Sequence, residues 1–494
     1  MKATFLGIDL GTQSAKGVVV DIDGNVVAQA SIDHTMESPK PGYYEQDADK
    51  VWWYDTVYLS KELLKQLDDK YISHSTLQGM AVSTTAPCVL PVDKSGKPLR
   101  KGIMYGIDTR ATKQIAYLEE KIGKEKIFAI GGQHLSSQSC NPKVLWIKDN
   151  EPEVWKKTDK ILTSCGYVVY KLTDRMCTDT YDAMGYSPLF DIRNQRWDST
   201  YEKDVFSLDL LPDILWTAEI AGTVTKEVNQ LTGLPVGLPV IAGTADAAAE
   251  AMSCGVSNIG DMMMMYGSSN FFIMITSALR PVEQFWASNW FEKGSTVLAG
   301  GMSTVGSLFS WFNATFPGRS FKEWEELAAK STVGANGVTI LPYFAGERTP
   351  IHDANAKGVF FGMQLTTTAG DIFQALQEAI GFGVKHNLDV LAQAGEKASR
   401  IVAIGGVTNS DMTMQIITDI ANTPQQIPSQ RIGAAYGDAF LAAYATKAVD
   451  SLNAIDKWVK IEKEYTPNKD NALRYQEYYE KYRNLYESTK HLMP

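Results

Sequence analysis

The sequence contains no uninterrupted apolar run of the about 20 residues that a membrane span requires. Its N-terminal residues also contain no apolar segment followed by small residues of the kind that signal peptidase cleaves, because Asp9, Gln13 and Lys16 interrupt the region. Cysteine is scarce, and the five cysteines are scattered without Cys-x-x-Cys spacing, which argues against a disulfide framework and a zinc site. We therefore expect a cytoplasmic protein with buried free thiols and no membrane partner.

Basic residues are fewer than acidic residues, with 47 Lys and Arg against 57 Asp and Glu. The formal net charge of −10 predicts no surface for nucleic acid. Neither Gly-Lys pair, at residues 96–97 and 123–124, is followed by Ser or Thr, so the P-loop kinases are excluded. The Gly-Phe-Gly at 381–383 lacks the third glycine of a dinucleotide site. The six histidines are scattered, and we interpret each as a surface residue or a satisfied core residue rather than a catalyst.

At 494 residues the chain is longer than one hydrophobic core usually covers, so we predict two domains with a cleft between them. Strand and helix signals alternate, which indicates an α/β fold, and we place the boundary between residues 1–255 and 256–494. The small residues at 433–439 predict a helix that packs closely. Tyrosines at helical spacing between 471 and 492 predict a helical tail. They fit either packing on their own domain, which we favour, or a partner surface.

A short turn near the N-terminus is the strongest local signal. An apolar strand over residues 4–10 carries Asp9 and leads into Gly11 and Thr12. Glycine lets backbone N–H groups approach phosphate oxygens, threonine adds a hydroxyl, and an aspartate can reach a phosphate-bound magnesium ion through water. An ordinary hairpin with an Asp-x-Gly turn is the alternative. The candidate phosphate ligands in this region are Gly11, Thr12, Gln13 and Lys16.

The same logic returns in the second half of the chain. Four consecutive methionines, 262–265, precede a Gly-Ser-Ser turn; the run fits a strand buried on both faces better than a soft-metal site. Further on, an apolar strand at 402–404 leads into two glycines, against which a flat ring or a ribose could lie, although an ordinary tight turn explains them equally well. The candidate nucleotide ligands here are Gly267, Ser268, Ser269, Gly405, Gly406 and Asn409.

Asp246 is the candidate catalytic residue. A buried strand ends near Gly243, and Asp246 then begins an alanine-rich helix whose N–H groups can orient its carboxylate. A plain helix cap is the alternative. In a cleft beside ATP, the same carboxylate could accept a proton from a hydroxyl group that attacks the γ-phosphorus.

Five motifs occur together in one order, and this set resembles the FGGY carbohydrate kinases, most closely the xylulokinase branch, over nearly all of the chain up to about residue 444. The motifs are Gly-Ile-Asp-Leu-Gly-Thr at 7–12, Lys-Val-Leu-Trp-Ile at 143–147, Gly-Thr-Ala-Asp at 243–246, Gly-Glu-Arg-Thr-Pro at 346–350 and Gly-Gly at 405–406. The resemblance implies two ribonuclease-H-like domains of the actin/hexokinase type, with sugar bound mainly by the first domain and ATP in the cleft. It also implies that Asp246 is the base and that Asp9 serves the Mg²⁺ site.

The sequence departs from that family in the stretches that the resemblance assigns to the sugar site. Where xylulokinases carry Gln-Met-His-Gly, residues 83–87 read Ser-Thr-Thr-Ala-Pro, and where they show Trp-Asn-Asp-x-Arg, residues 106–110 read Gly-Ile-Asp-Thr-Arg. Such changes can switch sugar preference. We predict sugar contacts at Thr84, Thr85, Asp108 and Asp246.

The expected function is ATP-dependent phosphorylation of a ketopentose such as xylulose, with glycerol, ribulose or gluconate as other substrates. A non-catalytic nucleotide-gated protein, related to actin or the heat-shock ATPases, is the alternative. Whether the protein forms a homodimer is left open.

Overall fold

Two seven-stranded mixed sheets organise the chain. The computed structural model describes residues 2–493. In the first half the strands are β1 Thr4–Leu10, β2 Ser14–Asp21, β3 Val26–Asp33, β4 Glu37–Lys40, β5 Tyr43–Gln46, β6 Leu77–Thr84, β7 Leu90–Val92, β8 Gly102–Ile103, β9 Lys160–Leu162, β10 Cys177–Asp179, β11 Phe190–Asp191, β12 Arg196–Trp197, β13 Asp213–Leu215, β14 Ile220–Thr223, β15 Pro239–Ile241 and β16 Thr244–Ala245. The helices are α1 Tyr54–Asp69, preceded by a π-helical turn at Ala48–Trp53, α2 Thr112–Ile122, α3 Lys124–Gly131, α4 Cys140–Asn150, α5 Pro152–Lys157, α6 Ser164–Thr173, α7 Thr180–Ala183, α8 Lys226–Thr232 and α9 Asp246–Ser253.

The second half carries the remaining elements. Its strands are β17 Asp261–Tyr266, β18 Asn270–Thr276, β19 Trp286–Asn289, β20 Thr296–Gly300, β21 Thr339–Leu341, β22 Val359–Phe361, β23 Arg400–Ile404, β24 Gln425–Pro428 and β25 Ile461–Tyr465. Its helices are α10 Gly306–Thr315, α11 Phe321–Ala328, α12 Ala369–Gln393, α13 Asp411–Ala421, α14 Ala434–Ala445 and α15 Lys469–Thr489.

The two large sheets share one order of parallel and antiparallel strand pairs. The first runs β14-β15-β6-β1-β2-β3, with β16 also paired to β6, and the second runs β25-β24-β23-β17-β18-β20-β19. In both, the first pair is antiparallel, the next two pairs are parallel, and the following two are antiparallel. The turns β1–β2 and β17–β18 therefore occupy equivalent places. This confirms the predicted α/β fold and the predicted echo of one half in the other.

The methionine run forms β17, a strand inside the second sheet. It pairs with β18 on one side and β23 on the other, and Met262, Met263 and Met264 are fully buried. Side chains on both faces of such a strand are covered, which is why the run reads as continuously apolar. The interpretation as a buried strand is confirmed.

Helix α14 lies in the chain between β24 and β25 of the second sheet but packs on the first sheet. It contacts β1, β6 and α9. Two glycines permit this approach: a Cβ atom at Gly7 would lie 1.9 Å from the Ala435 carbonyl oxygen, and one at Gly437 would lie 2.0 Å from the Ala249 carbonyl oxygen. The predicted close packing of this helix is confirmed, and α14 ties the two halves together.

The tyrosine-rich tail forms α15 and packs back on the second half. Tyr475, Tyr479 and Tyr482 are buried in a cluster with Leu341 and Phe382. This confirms the intramolecular packing that we favoured over a partner surface for these three rings. The five cysteines are free and buried, as expected. No helix within residues 2–493 is long and apolar enough to cross a membrane.

Candidate active site

A cavity of about 230 Å³ lies between the two halves of the chain and contains Asp246. This volume is below the about 300–1,000 Å³ of sites for drug-sized ligands, so the cavity suits a small molecule. The first half contributes Thr85, Pro87, Tyr105, Gln133, Gln138 and Asp246 to its wall, and the second half contributes Phe271, Trp286, Ala299 and Arg348. The wall combines apolar rings with a few polar groups that converge on one space.

Backbone pairing fixes the position of Asp246. Strand β16 pairs with β6 in parallel, with Thr244 opposite Ser83 and Ala245 opposite Thr84. Asp246 and Thr85 directly follow the ends of these two strands, so this register brings both to the same edge of the sheet. Asp246 is also the first residue of α9, where its Oδ1 accepts a hydrogen bond of 2.7 Å from the Ala247 backbone N–H.

Burial raises the pKa of the Asp246 carboxyl to about 7, and the negative charge of Glu250 adds to the shift, while the Ala247 N–H opposes it. A carboxylate with a pKa near neutrality is well matched to accepting a proton. The second oxygen of Asp246 is free of hydrogen bonds from the described residues, so it remains available to a ligand in the cavity.

Helix α9 leads from this cavity to a second one. Glu250 lies one helical turn, about 6 Å, beyond Asp246, and it lines a groove of about 340 Å³ together with Gly405, Gly406, Asn409 and Arg431. A third opening of about 500 Å³ shares Gly406 and Asn409 and adds Gly267 and Ser268 from the β17–β18 turn. The structure therefore brings together the double glycine and the second predicted phosphate turn, beside the helix that carries Asp246.

The first predicted phosphate turn joins β1 to β2 and is held from behind. The Gly11 N–H donates to the Ser14 carbonyl at 3.0 Å, and the Gly11 carbonyl accepts from His34 Nε2 at 2.9 Å. His34 Nδ1 lies 2.6 Å from Asp55 Oδ2. Burial alone would lower the pKa of His34, but the hydrogen bond and charge of Asp55, with the Gly11 carbonyl, raise it. His34 is thus a satisfied core residue, as predicted.

Thr12 is fixed from two further directions. Its carbonyl accepts from Gln46 Nε2 at 3.0 Å, and its hydroxyl lies 3.3 Å from the Tyr105 hydroxyl, which lines the Asp246 cavity. Gln13 is exposed, and its carbonyl accepts from the His34 backbone N–H. The turn therefore holds its shape through contacts that leave the Gly11 and Thr12 edge close to the cavity.

Asp9 lies at the end of β1 opposite Lys16 on β2. Burial, followed by the charges of Asp246 and Glu250, raises the pKa of Asp9 well above its usual range, and Lys16 opposes the shift. Its Oδ1 is buried without a hydrogen-bond partner. An orphaned carboxylate oxygen among other acids is a fitting ligand for a divalent cation, although within residues 2–493 no group of three or more His, Cys, Asp or Glu side chains is arranged around a metal site. Magnesium usually takes only one or two protein carboxylates together with substrate phosphates and water, so the residues present fit this ion.

Two predicted sugar contacts do not line the cavity. The Thr84 hydroxyl lies 2.7 Å from the Ser164 hydroxyl in the core. The Asp108 carboxylate is buried, accepts from Arg110 Nη2 at 2.7 Å and from the Tyr44 backbone N–H at 2.7 Å, and so supports the fold of the loop. Of the predicted sugar contacts, Thr85 and Asp246 line the cavity. The hydrogen-bonding groups of Thr84 and Asp108 are engaged inside the protein, and sugar contacts at these two residues stay a prediction.

The remaining predicted nucleotide ligands are spread along the cleft. Ser268 is exposed, and its carbonyl accepts from the Val305 and Ser307 backbone N–H groups at 3.0 Å each. Ser269 does not line the grooves described above, whereas Asn409 lines both of them, with its Oδ1 accepting from Arg431 Nη1 at 3.2 Å.

Several cavity residues were not identified from the sequence. Gln133, Gln138, Tyr105, Phe271 and Trp286 lie outside every motif, and only their convergence in three dimensions reveals them. Arg348 could have been found, because it belongs to the Gly-Glu-Arg-Thr-Pro motif. Its Nη2 donates to the Asn270 and Met302 carbonyls at 2.8 and 2.9 Å, and its Nε is buried without a partner.

Comparison with known proteins identifies the family. The N-terminal domain of the FGGY family of carbohydrate kinases matches residues 4–253, and the C-terminal domain of the same family matches residues 262–446. A xylulose kinase from Staphylococcus epidermidis is 30% identical over 505 aligned positions that cover 100% of this chain and 98% of that protein. A xylulose kinase from Bacillus subtilis is 28% identical, with 99% of this chain and 97% of that protein covered.

Solved structures agree with this assignment. The xylulose kinase from Rhodospirillum rubrum superposes with a TM-score of 0.92 at 27% identity, covering 99% of each chain. These matches establish an actin/hexokinase-like fold and set aside the alternative of a non-catalytic nucleotide-gated protein. The chain belongs to the FGGY family of carbohydrate kinases, in its xylulokinase branch, and is a carbohydrate kinase.

Proposed function

We propose that the protein transfers the γ-phosphoryl group of ATP to a hydroxyl group of a ketopentose such as xylulose, with Asp246 as the general base. The observation that carries this proposal is the free carboxylate oxygen of Asp246, which lies in a cavity of small-molecule size and belongs to a group whose pKa is raised to about 7. The xylulose kinases among the relatives support the choice of sugar. Glycerol, ribulose and gluconate are the other candidate acceptors, because residues 83–87 and 106–107 depart from the xylulokinase pattern.

The proton and phosphoryl movements follow from this geometry. The sugar hydroxyl hydrogen-bonds to Asp246, which takes its proton as the oxygen attacks the γ-phosphorus, and ADP departs with the electron pair of the broken bond. Helix α9 connects the two sites, since its first residue lines the cavity and the nucleotide groove lies one turn further along the helix. In the β1–β2 turn, Gly11 shapes the backbone through its hydrogen bond to the Ser14 carbonyl, and the Thr12 end of the turn contacts the phosphates. The β17–β18 turn and the double glycine contact the rest of the nucleotide.

Asp9 would hold a magnesium ion, partly through water, and Lys16 lies across the strand pair from it. The ion would offset the negative charge of the phosphates and of the neighbouring carboxylates. An orphaned oxygen on Asp9 supports this role. We further propose that residues 1–255 and 256–494 act as two domains whose closure excludes water, which would otherwise compete with the sugar as acceptor.

The test is ADP release from magnesium-ATP across xylulose, ribulose, other ketoses, pentitols, glycerol and gluconate. Asp246→Asn keeps the shape of the side chain and removes the base, so we expect turnover to fall by about 10²–10⁴-fold while nucleotide binding persists. Asp93→Asn is the matched control, because Asp93 accepts turn hydrogen bonds at an exposed loop that the cavity does not include. Normal turnover by Asp246→Asn would rule out the assigned base, and no turnover of any sugar by the wild type would refute the proposed activity.

A further inference from the structure

Gln138 enters the cavity wall from a loop between α3 and α4 that no motif covers. It is half-buried, and its Oε1 accepts a hydrogen bond of 3.0 Å from the Gly106 backbone N–H. Gly106 is the position at which xylulokinases carry a tryptophan, so a large side chain is missing here. The structure shows what replaces it: a Cβ atom on Gly106 would lie 2.4 Å from Gln138 Cδ and 2.5 Å from Nε2.

The Gly106 contact fixes which end of the amide is free. A backbone N–H can only donate, so Oε1 is the Gln138 atom that accepts from it, and the Nε2 amine takes no part in this contact. That amine has no acceptor among residues 2–493, and the side chain lines the cavity that holds Asp246. Gln138 therefore brings to the cavity wall a neutral amide whose N–H donors have no acceptor among the described residues.

A second glutamine complements the first. Gln133 donates from Nε2 to the Met184 carbonyl at 2.9 Å, so its Oε1 is the end that remains free as an acceptor at the same cavity. One side chain therefore offers donors and the other an acceptor, each with its opposite end held by the backbone. Vicinal hydroxyl groups, which both donate and accept, match such an arrangement.

We propose that Gln138 is a substrate-binding residue of this kinase, which occupies the space left by glycine at position 106 and donates from Nε2 to an oxygen atom of the sugar. This inference rests on the proposed function and deepens it, because it assigns a specificity contact in the Asp246 cavity. The acceptor it requires is a hydroxyl, carbonyl or carboxylate oxygen of the substrate. The two positions depend on each other, since the Gln138 side chain fills the space that a side chain at position 106 would need.

Gln138→Glu tests the donor directly. Glutamate has nearly the same shape and can still accept from the Gly106 N–H, but its other oxygen cannot donate. With D-xylulose, or the panel sugar of highest wild-type kcat/KM, we expect the sugar KM to rise by about ten-fold or more, since a lost or reversed hydrogen bond to a buried polar group carries selectivity. The KM for ATP should stay unchanged. Gln476→Glu, at an exposed site on α15, is the matched control for the added charge.

Gly106→Ala provides an independent test that leaves the chemistry of Gln138 intact. Gly106 is not among the positive-φ glycines, so alanine fits the backbone, and the clash falls on the far end of a flexible side chain. We expect Gly106→Ala to raise the sugar KM because it displaces the Gln138 amide. In a Gln138→Ala background the same substitution should have little further effect, because neighbours that act together are non-additive.

The outcomes distinguish failure of the Gln138 assignment from failure of the proposed kinase activity. If the wild type phosphorylates sugar and both Gln138→Glu and Gly106→Ala keep the wild-type sugar KM, the assignment of Gln138 is overturned and the kinase reaction stands. Equal loss of ATP and sugar affinity, with a lowered unfolding temperature, would make Gln138 a structural residue and also overturn the assignment. If the wild type phosphorylates no sugar, the proposed function itself fails.

Discussion

Gly405→Ala should lower the stability of the protein, whereas Gly406→Ala should weaken ATP binding and leave stability unchanged, although the two glycines are adjacent. Gly405 has φ +97°, and a Cβ atom there would lie 2.5 Å from the Tyr266 carbonyl oxygen. A left-handed conformation costs an L-residue about 1–2 kcal/mol, and overpacking against the backbone adds about 1–3 kcal/mol. We therefore expect Gly405→Ala to lower the free energy of unfolding by about 2–5 kcal/mol.

Gly406 differs in both respects. Its φ is not positive, and a Cβ atom there would meet nothing within 4 Å, so Gly406→Ala should change the free energy of unfolding by less than about 0.5 kcal/mol. Gly406 also borders both nucleotide grooves. If the nucleoside lies against this residue, an added methyl group obstructs it, and we expect the KM for ATP to rise about ten-fold, equivalent to about 1.4 kcal/mol, with the sugar KM unchanged.

Urea unfolding and steady-state kinetics on the two variants test this reasoning. Gly237→Ala is the control for conformation alone, because Gly237 has φ +85° and a Cβ atom there would also meet nothing within 4 Å. It should lose only the about 1–2 kcal/mol of the left-handed backbone. A wild-type ATP KM for Gly406→Ala would refute the nucleoside contact, and a Gly405→Ala protein as stable as wild type would refute the packing argument.

Three further predictions follow from buried ionisable groups. Because a base must be deprotonated and the pKa of Asp246 is raised to about 7, kcat/KM for the sugar should rise with pH through that value; a profile flat from about pH 5.5 to about pH 8.5 would contradict it. His34→Ala releases the Gly11 carbonyl and should raise the ATP KM in steady-state assays without changing the sugar KM. Since the pKa of folded His34 is raised, the stability that its protonation contributes is complete below the ordinary histidine pKa and is lost as pH rises through the folded value, so in urea unfolding the difference between the wild type and His34→Ala should narrow at high pH. Arg110→Ala leaves the buried Asp108 charge unpaired and should cost about 3–5 kcal/mol in urea unfolding, and Asp108→Ala in the same chain should recover part of it; an additive double variant would exclude the pairing.

Local sequence patterns were sufficient to predict the strands, turn and helix that form the backbone of the site. The strand over residues 4–10, the turn at Gly11, the buried methionine strand and the helix that begins at Asp246 were all anticipated, since periodicity and turn residues act over a few neighbours. The order of the motifs was also sufficient for the family. These features are determined by short-range sterics and by the burial of apolar side chains, which a linear sequence displays directly.

Side-chain direction was harder to anticipate. Asp108 and Thr84 both have suitable chemistry and occur in suitable motifs, yet Arg110 and Ser164 engage them in the interior. In the opposite sense, Gln138 lies outside every motif and still lines the cavity. Whether a polar group faces a ligand or a buried partner depends on what packs against it from distant segments.

The linear sequence was enough to predict the two α/β halves, their repeated strand-turn units and the residue types suited to holding phosphate and accepting a proton. Which of these residues lie together depends on the folded chain, because the pairing of β16 with β6 sets Asp246 beside Thr85, and the approach of the two halves brings Arg348 and Trp286 to the same cavity. The folded chain also decides that the Gln138 side chain occupies the space beside Gly106. Residues 32 positions apart compensate for each other only when the folded chain places them in van der Waals contact, and no local signal records that contact.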